Sequence, residues 1–505
     1  MKRFFTLAIL LVSSCVFGQT FTTPIQVNMG GSGLADRSPM MRLDRSGNIF
    51  IAWVRGADGS QNGPIAMSVS SDGGSTFSMP VVVCSDANCN SNFQRTAQFV
   101  LDTKGNIHLV WMGNRVNKQP DIWYTRSIDK GKTWSTPISV CDADDSSKYA
   151  QDFPSIACDS SDNLYVSFLD SREVQRDSKN GHVQLYFTRS LDGGMSWSKN
   201  MKADILPGGM GGTCECCTER IAASSDGHLY IDFRSNINNL LDIWLARSND
   251  KGLTFEPALK LSSGDWHVDA CPVSGPNLAL DADEGAHIVW RDVRDDSMGV
   301  SHVYYAYVPK GSAETPVNTA FDAPGASLAN YADISLYGNN RVITYQTSNY
   351  GTRYLLYSGS KTVVNNRPIP SGSFQEFPTV LFAADGTRYL SWQDAKNDNG
   401  DIYFCKETSA LVTASVDAEK SATKFAVYPN PISTEKSVIS ISYSISTPGI
   451  MRITDLLGRE VSSVRLNPTL KEYTLTLPSL ASGNYFCSLE GDGMILVRRI
   501  VIGSW

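Results

Sequence analysis

Arg37, Arg95 and Arg220 place three guanidinium groups in the first half of the chain, and Asp152, Glu376 and Tyr331 add two carboxylates and a phenol. Guanidinium groups grip a carboxylate bidentately. Paired acids can protonate a leaving group and support a nucleophile, and a phenol beside a base can be that nucleophile. Brought together, these six residues would suit an anionic sugar; kept apart, they would form a solvated ring of salt bridges. A second cluster is Cys214-Glu215-Cys216-Cys217, followed about one repeat later by Asp265 to Pro272, which carries His267 and Cys271. Four thiolates, or three and an imidazole, suit copper or zinc. Disulfides are the preferred reading, since they are the usual fate of cysteines in an exported chain, and a free reactive thiol is the third. Cys84 and Cys89 are close enough to pair, and Cys141 is a candidate partner for Cys158. Adjacent Cys216 and Cys217 rarely bond each other. Outside that metal alternative no cofactor is expected. The remaining histidines, among them His108, His228 and His287, read as structural. The charged stretches Asp170 to Glu173 and Arg291 to Asp296 read as solvated loops.

The elements that position these residues repeat. Ser70 to Phe77, Ser127 to Trp134, Ser190 to Trp197 and Ser248 to Phe255 share the pattern Ser-x-Asp-x-Gly-x-Thr/Ser-aromatic. Their aspartates, at 72, 129, 192 and 250, are spaced by 57, 63 and 58 residues. The carboxylate can accept the N–H groups of its own turn. The glycine supplies a backbone angle that other residues reach only with strain, and the aromatic is expected to plug a gap between strands. Seven units align on Gly47, Gly105, Asp162, Gly227, Gly285, Gly338 and Gly386. An aromatic follows six residues later in five of them, whereas Trp290 and Tyr345 fit with a shift of one. Four strands per unit at this period predict a seven-bladed β-propeller, with six blades as the alternative count. The seventh unit lacks a fourth strand, and Thr22 to Val27 is the candidate to close the ring. Ten residues before each alignment position stand Arg37, Arg95, Asp152, Cys217, Gly275, Leu328 and Glu376, which start the inner strands and would face a central funnel.

The chain has 505 residues and a formal net charge of −7, with no long basic run. That argues against nucleic acid as a partner. Lys2 and Arg3 precede a short apolar run that ends before Gln19, which reads as a signal peptide over residues 1–18. A lipid anchor on Cys15 is the rival reading. No stretch reads as a transmembrane segment. Residues 19–408 form the propeller and 409–423, rich in Ser, Thr, Ala and Lys, a linker. Alternating short strands over 424–505 predict a small β-sandwich, so the whole chain is expected to be all-β.

The four octapeptides resemble the Asp-boxes, or BNR repeats, of the sialidase superfamily. In that family the boxes lie at the blade periphery, so the resemblance implies the fold more than an activity. It also implies what a sialidase-type site would need: three arginines on the substrate carboxylate, a Tyr nucleophile activated by Glu, and an Asp acid/base. Arg37-Ser38-Pro39 partly resembles the family's Arg-Ile-Pro. Arg95 and Arg220 would complete the triad, Tyr331 would be the nucleophile, and Asp152 or Glu376 the acid. No Tyr–Glu pair is assignable from the sequence. The tail resembles the C-terminal sorting domain of Bacteroidetes type IX secretion, through Tyr428-Pro429-Asn430-Pro431, Ile453 to Val461, Leu480 to Tyr485 and Val497 to Ile502. That resemblance implies passage through the periplasm and outer membrane to the surface or medium, with the type IX machinery as a partner. Two functional expectations follow for a monomer: a binding propeller for glycan or protein, and an exo-sialidase-like glycoside hydrolase.

Overall fold

The computed structural model describes most of residues 21–407 and 425–502. Outside the description lie 1–20, 408–424, 503–505 and shorter stretches, including 85–90, 93–96, 268–271, 294–300 and 321–328. The signal peptide, Cys15, the linker, Arg95, Leu328, Cys89 and Cys271 therefore fall outside the described residues. The chain divides into two compact units, Met1–Leu411 and Val412–Trp505.

The first unit is a β-propeller. Its described residues form seven antiparallel sheets of four or five strands, each built from consecutive chain except at the closure. Three of the second strands, Ile107–Gly113, Leu164–Asp170 and Arg388–Asp394, are buried at every residue. A strand packed on both faces has no solvated side, so the apolar/polar alternation is lost there. The large aromatics of the second strands, Trp53, Trp111, Trp290 and Trp392, are among the largest fully buried side chains. The ring closes with Ile25–Gln26 pairing against Tyr403 and Phe404 of Asp401–Lys406. Thr22 N and Val27 N donate to Lys406 and Ile402 carbonyls, which extends the pairing across the expected closing segment. This covers the edge of the last sheet.

The repeated turns are clasps between sheets. In each, one carboxylate oxygen of the aspartate accepts two backbone N–H groups, and the other accepts a hydroxyl, as when Thr133 Oγ1 donates to Asp129 Oδ2 at 2.6 Å. The opening serine accepts the glycine N–H, 2.8 Å at Ser127 and Gly131. These bonds hold the Asp129 and Asp192 carboxyls down at about 2, even though burial opposes this at Asp192. The aromatic of the turn packs on the preceding sheet: Trp197 against Tyr124 at 5.0 Å, Phe255 against Phe187 at 5.2 Å, Phe77 against Phe404 at 5.3 Å. A cation from the third strand of that preceding sheet then grips a turn carbonyl. Arg126 donates to Gly193 O (3.0 Å), Arg189 to Lys251 O (2.6 Å) and Lys406 to Gly73 O (3.0 Å). The aromatic plug thus sits between sheets, where the sequence suggested between strands. Arg247 makes the same grip on Ser312 O, in a turn of the fifth sheet that lacks the aspartate pattern.

The alignment needs two corrections. In the fifth unit the left-handed residue is Glu284 (φ 61°), not Gly285, and Trp290 then falls six residues on as in the other units. In the sixth, Tyr337 pairs directly with Asn340, so the turn is two residues long. The inner-strand positions equivalent to Arg37 are consequently Ser274 and Asn330, in place of Gly275 and Leu328.

The second unit has a three-stranded sheet (Phe425–Tyr428, Val438–Tyr443, Glu472–Thr476) and a four-stranded one (Glu460–Leu466, Gly449–Thr454, Gly483–Gly491, Met494–Ile502). Alternate residues such as Ile439, Ile441, Met451 and Ile453 enter one apolar core. Glu460–Leu466 is a strand that the sequence reading did not separate from the motif before it.

A Cβ on Gly194 would stand 1.8 Å from Tyr124 Oη, whereas one on Gly193 would meet nothing closer than Arg126 at 3.9 Å; both residues have positive φ. Gly193→Ala is expected to cost about 1 kcal/mol from backbone strain alone. Gly194→Ala is expected to cost about 3 kcal/mol or more, because it also pushes the turn off the neighbouring sheet. Urea unfolding of both variants checks the difference.

Candidate functional site

The inner strands carry a repeated irregularity. Between Arg37 and Met40, Asp152 and Ser155, Asn330 and Asp333, and Glu376 and Thr379 the register with the second strand shifts. At each bulge a residue with a side chain adopts φ near +50°: Ser38, Phe153, Tyr331 and Phe377. Such angles cost on the order of 1–3 kcal/mol each and need surrounding structure to enforce them. Hydrogen bonds from neighbouring sheets brace two of them: Ser38 N donates to Gln393 Oε1 on the second strand of the last sheet (3.2 Å) and Tyr331 N to Ser274 Oγ (3.3 Å). Further bonds tie inner strands to one another, Ile221 N to Ser155 Oγ and Gly275 N to Thr218 Oγ1, both 3.2 Å. The bulge has a signature that the sequence reading passed over: Arg37-Ser38-Pro39, Asp152-Phe153-Pro154 and Glu376-Phe377-Pro378 repeat a polar residue, the bulged residue and proline.

Where the seven inner strands converge lies a cavity of about 160 Å³, lined by residues of every sheet, including Ser38, Gln98, Ser155, Arg220, Asn277 and Tyr331. Three of the sequence candidates, Arg37, Tyr331 and Glu376, influence one another electrostatically at its bulged end. The Tyr331 phenol is pushed up to about 12, first by burial and then by the negative charge of Glu376, while Arg291 acts the other way. Burial raises the Glu376 carboxyl, and Gln346 and the Arg37 guanidinium partly offset this. Gln393 Nε2 also donates to Glu376 Oε2 at 3.3 Å. The ring of Phe377 lies 4.3 Å from that of Tyr331, so the bulged aromatics of adjacent sheets touch. Tyr331 thus faces a glutamate that the sequence could not pair with it. Asp152 holds the equivalent bulge position in the third sheet.

Arg220 does not share the level of Arg37. It pairs with Asp232 as Met40 pairs with Ala52, three residues further along the inner strand. Its electrostatic neighbour is Arg42, a channel residue that the sequence reading did not single out. Arg42 is held down at about 10 by burial, with Asp333 opposing and Arg220 reinforcing. Arg37, Arg220 and Arg42 therefore stand at successive levels along the channel. Arg291, expected in a solvated loop, donates to Pro272 O at 2.9 Å and faces Tyr331. Arg172 likewise is buried, paired with Asp170 at 2.7 Å and stacked 4.2 Å over Tyr186. The histidines are cross-braces: His108 joins Tyr124 (2.7 Å) to Asp102, and His287 joins Tyr305 (2.7 Å) to Asp281.

Three sulfur atoms gather beside this site. Cys214 Sγ lies 3.1 Å from Cys217 Sγ and 3.5 Å from Cys216 Sγ, and the three could together offer ligands to a metal ion. His267 is not in the group; it is exposed and bridges Leu240. Cys216 and Cys84 are disulfide-bonded, while Cys214 and Cys217 are free thiols. Cys141 and Cys158 are also free, so the suggested bond between them is not made. Cys158 instead donates to the carbonyl of Asp159 (3.4 Å), and burial pushes its thiol up to about 12.

Residues 426–503 match the family described as the secretion system C-terminal sorting domain. The chain is accordingly exported to the cell surface or secreted, and its tail engages the type IX secretion machinery. No helix among the described residues is long and apolar enough to cross a membrane. No curated protein matches the chain. Solved structures similar to it include a protein of unknown function from Dyadobacter fermentans, with 11% identity over 77% of this chain and 99% of that one, TM-score 0.48. An α-L-arabinanase of Penicillium chrysogenum complexed with arabinobiose has 12% identity, covers 78% and 100%, TM-score 0.48. A leech intramolecular trans-sialidase has 10% identity, covers 77% and 91%, TM-score 0.44.

Two acids beside the channel carry a stability consequence. Glu219 and Asp232 are 1% and 0% exposed, and burial pushes each up to about 8. Both stay protonated in the fold between about pH 4 and 8 while the unfolded chain ionises them, so stability falls as pH rises through that window. The depressed turn carboxylates act oppositely, losing their contribution as pH falls from about 4 to 2. Stability is therefore expected to peak near pH 4. Glu219→Gln should leave stability at pH 4 little changed and raise it at pH 8 by on the order of 2 kcal/mol, measured by denaturant unfolding at both pH values.

Proposed function

We propose that this exported propeller recognises an anionic glycan at the bulged end of its channel. The observation that carries the reading is the convergence there of Tyr331, Glu376, Arg37 and Arg291, whose charges act on one another. Guanidinium groups would hold the ligand's acidic group. The phenol, kept protonated at neutral pH, would donate a hydrogen bond to it or to a ring hydroxyl. Glu376 and Gln393 would accept and donate at the neighbouring hydroxyls. The chain has a net charge of −7 yet brings Arg42 and Arg220 into the lining of its channel. The same geometry suits a protein ligand that inserts an acidic side chain.

The Tyr331–Glu376 neighbourhood favours a second reading, an exo-sialidase-type hydrolase in which Glu376 takes the proton of Tyr331 as the phenol attacks the sugar. Against it, both burial and Glu376 favour the neutral phenol, and Arg37 and Arg220 stand at different depths.

Binding to an array of acidic and neutral glycans separates the readings. Arg37→Ala is expected to weaken binding of acidic glycans at least about tenfold, with neutral glycans bound poorly by both proteins. The 4-methylumbelliferyl conjugate of sialic acid tests hydrolysis. Release that falls about a hundredfold or more in Tyr331→Phe, with binding retained, would establish the hydrolase. Absence of both binding and release would overturn the glycan reading.

A further inference from the structure

We propose that Arg42 and Arg220 hold one small, singly charged anion inside the channel, deeper than the bulges. Arg42 lies on the inner strand Leu34–Leu43 of the first sheet and Arg220 on the inner strand Arg220–Ala223 of the fourth. The second and third sheets stand between them in the ring, yet both side chains line the same central cavity. Their charges therefore act on one another across the channel. The site is independent of the glycan reading, whose groups gather at the bulged end.

What marks the pair is that no carboxylate takes up its charge. Each guanidinium spends one N–H on the carbonyl of the residue before it: Arg42 Nη1 on Met41 O (2.9 Å) and Arg220 Nη1 on Glu219 O (3.0 Å). Neither makes a salt bridge among the described residues. The carboxylate that faces Arg42 is Asp333. Its oxygens are already filled: Oδ1 accepts from Asn277 Nδ2 (2.7 Å) and Ile334 N (3.0 Å), and Oδ2 from Thr379 Oγ1 and Val380 N, both at 2.9 Å. The acids beside Arg220 are Glu219 and Asp232, and burial pushes each up to about 8, so both are protonated at about pH 6. At this level two guanidinium groups thus stand against one carboxylate that has no lone pair left for them. Like charges held together in a cavity cost free energy. One anion of unit charge cancels the excess.

The surroundings suit a small ion. Gln98, Ser155 and Asn277 bring polar side chains to the cavity from the second, third and fifth sheets. A cavity of about 160 Å³ has room for a halide with several waters, or for a carboxylate. The remaining N–H groups of two guanidinium forks can bind either. Free chloride and the carboxylate of a ligand share this chemistry, and the test separates them. Bound there, the anion would join the first sheet to the fourth across the ring, a link that pairing between strands of one sheet does not supply.

The test is urea unfolding of the full-length protein at about pH 6 in sodium chloride, in sodium acetate and in the bulky sulfonate 2-morpholinoethanesulfonate at equal ionic strength. In wild type, chloride is expected to raise the folded-to-unfolded ratio at least about threefold over the sulfonate, whereas Arg42→Gln and Arg220→Gln should lose that gain. In the sulfonate, Arg42→Gln is expected to be at least as stable as wild type, because it removes the repulsion. Wild-type crystals grown with sodium bromide should then show an anomalous scattering peak within reach of both guanidinium groups. A gain with acetate alone, again lost in both variants, would keep the site and assign it to the carboxylate of a ligand. Equal responses of wild type and both variants to the two salts would overturn the proposal. For a variant that does not fold, the crystals decide: bromide between Arg42 and Arg220 upholds the site, and its absence there overturns it.

Discussion

The grip of one sheet on the turn of the next is the contact on which the propeller depends. A third-strand cation reaches across to a carbonyl in the neighbouring turn, and an aromatic from that turn closes on a ring of the same strand. In these turns the aspartate presents the carbonyl by holding the turn closed through four hydrogen bonds, and the ring fits because Gly194, Gly252 and Gly74 leave no Cβ in its way. The fifth sheet keeps the cation's grip, through Arg247 and Ser312, without the aspartate pattern. The interaction between sheets is thus more general than the motif that first reveals it.

Anchoring at the rim allows strain at the centre. Seven inner strands cannot all run straight into a narrow channel, and at four described places they bulge, holding Ser38, Phe153, Tyr331 and Phe377 at unfavourable backbone angles. Hydrogen bonds from neighbouring sheets brace Ser38 and Tyr331, and the bulges re-aim side chains at the channel mouth. The same compression buries Glu219 and Asp232 without full compensation for their charge. Stability held at the periphery is partly spent at the bulges and buried acids around the cavity, a distribution expected of a rigid scaffold that carries a site.

Much of the architecture was legible because it rests on local chemistry. A tight turn needs its glycine and its carboxylate within a few residues, so four copies stand out along the chain. The closing strand was visible as a spare apolar segment. The misalignments came from the backbone: Glu284 takes a left-handed angle that glycine alone seemed able to supply, and Tyr337 to Asn340 shortens a turn without any composition signal. Arg42 and Arg291 were passed over because what distinguishes them is burial and the charges they face, and both are set by strands far away in sequence.

The sequence by itself determined the all-β class, the repeat period, the closing segment and the sorting tail, since each is written in spacing or in a contiguous motif. Only the tertiary structure decided which charged groups meet. Tyr331 and Glu376 are 45 residues apart and lie on different sheets, and they became neighbours because both inner strands bulge at the same level. Arg37 and Arg220 looked equivalent in type but stand at different depths, because strand register, which no local pattern records, places one at the mouth and the other inside.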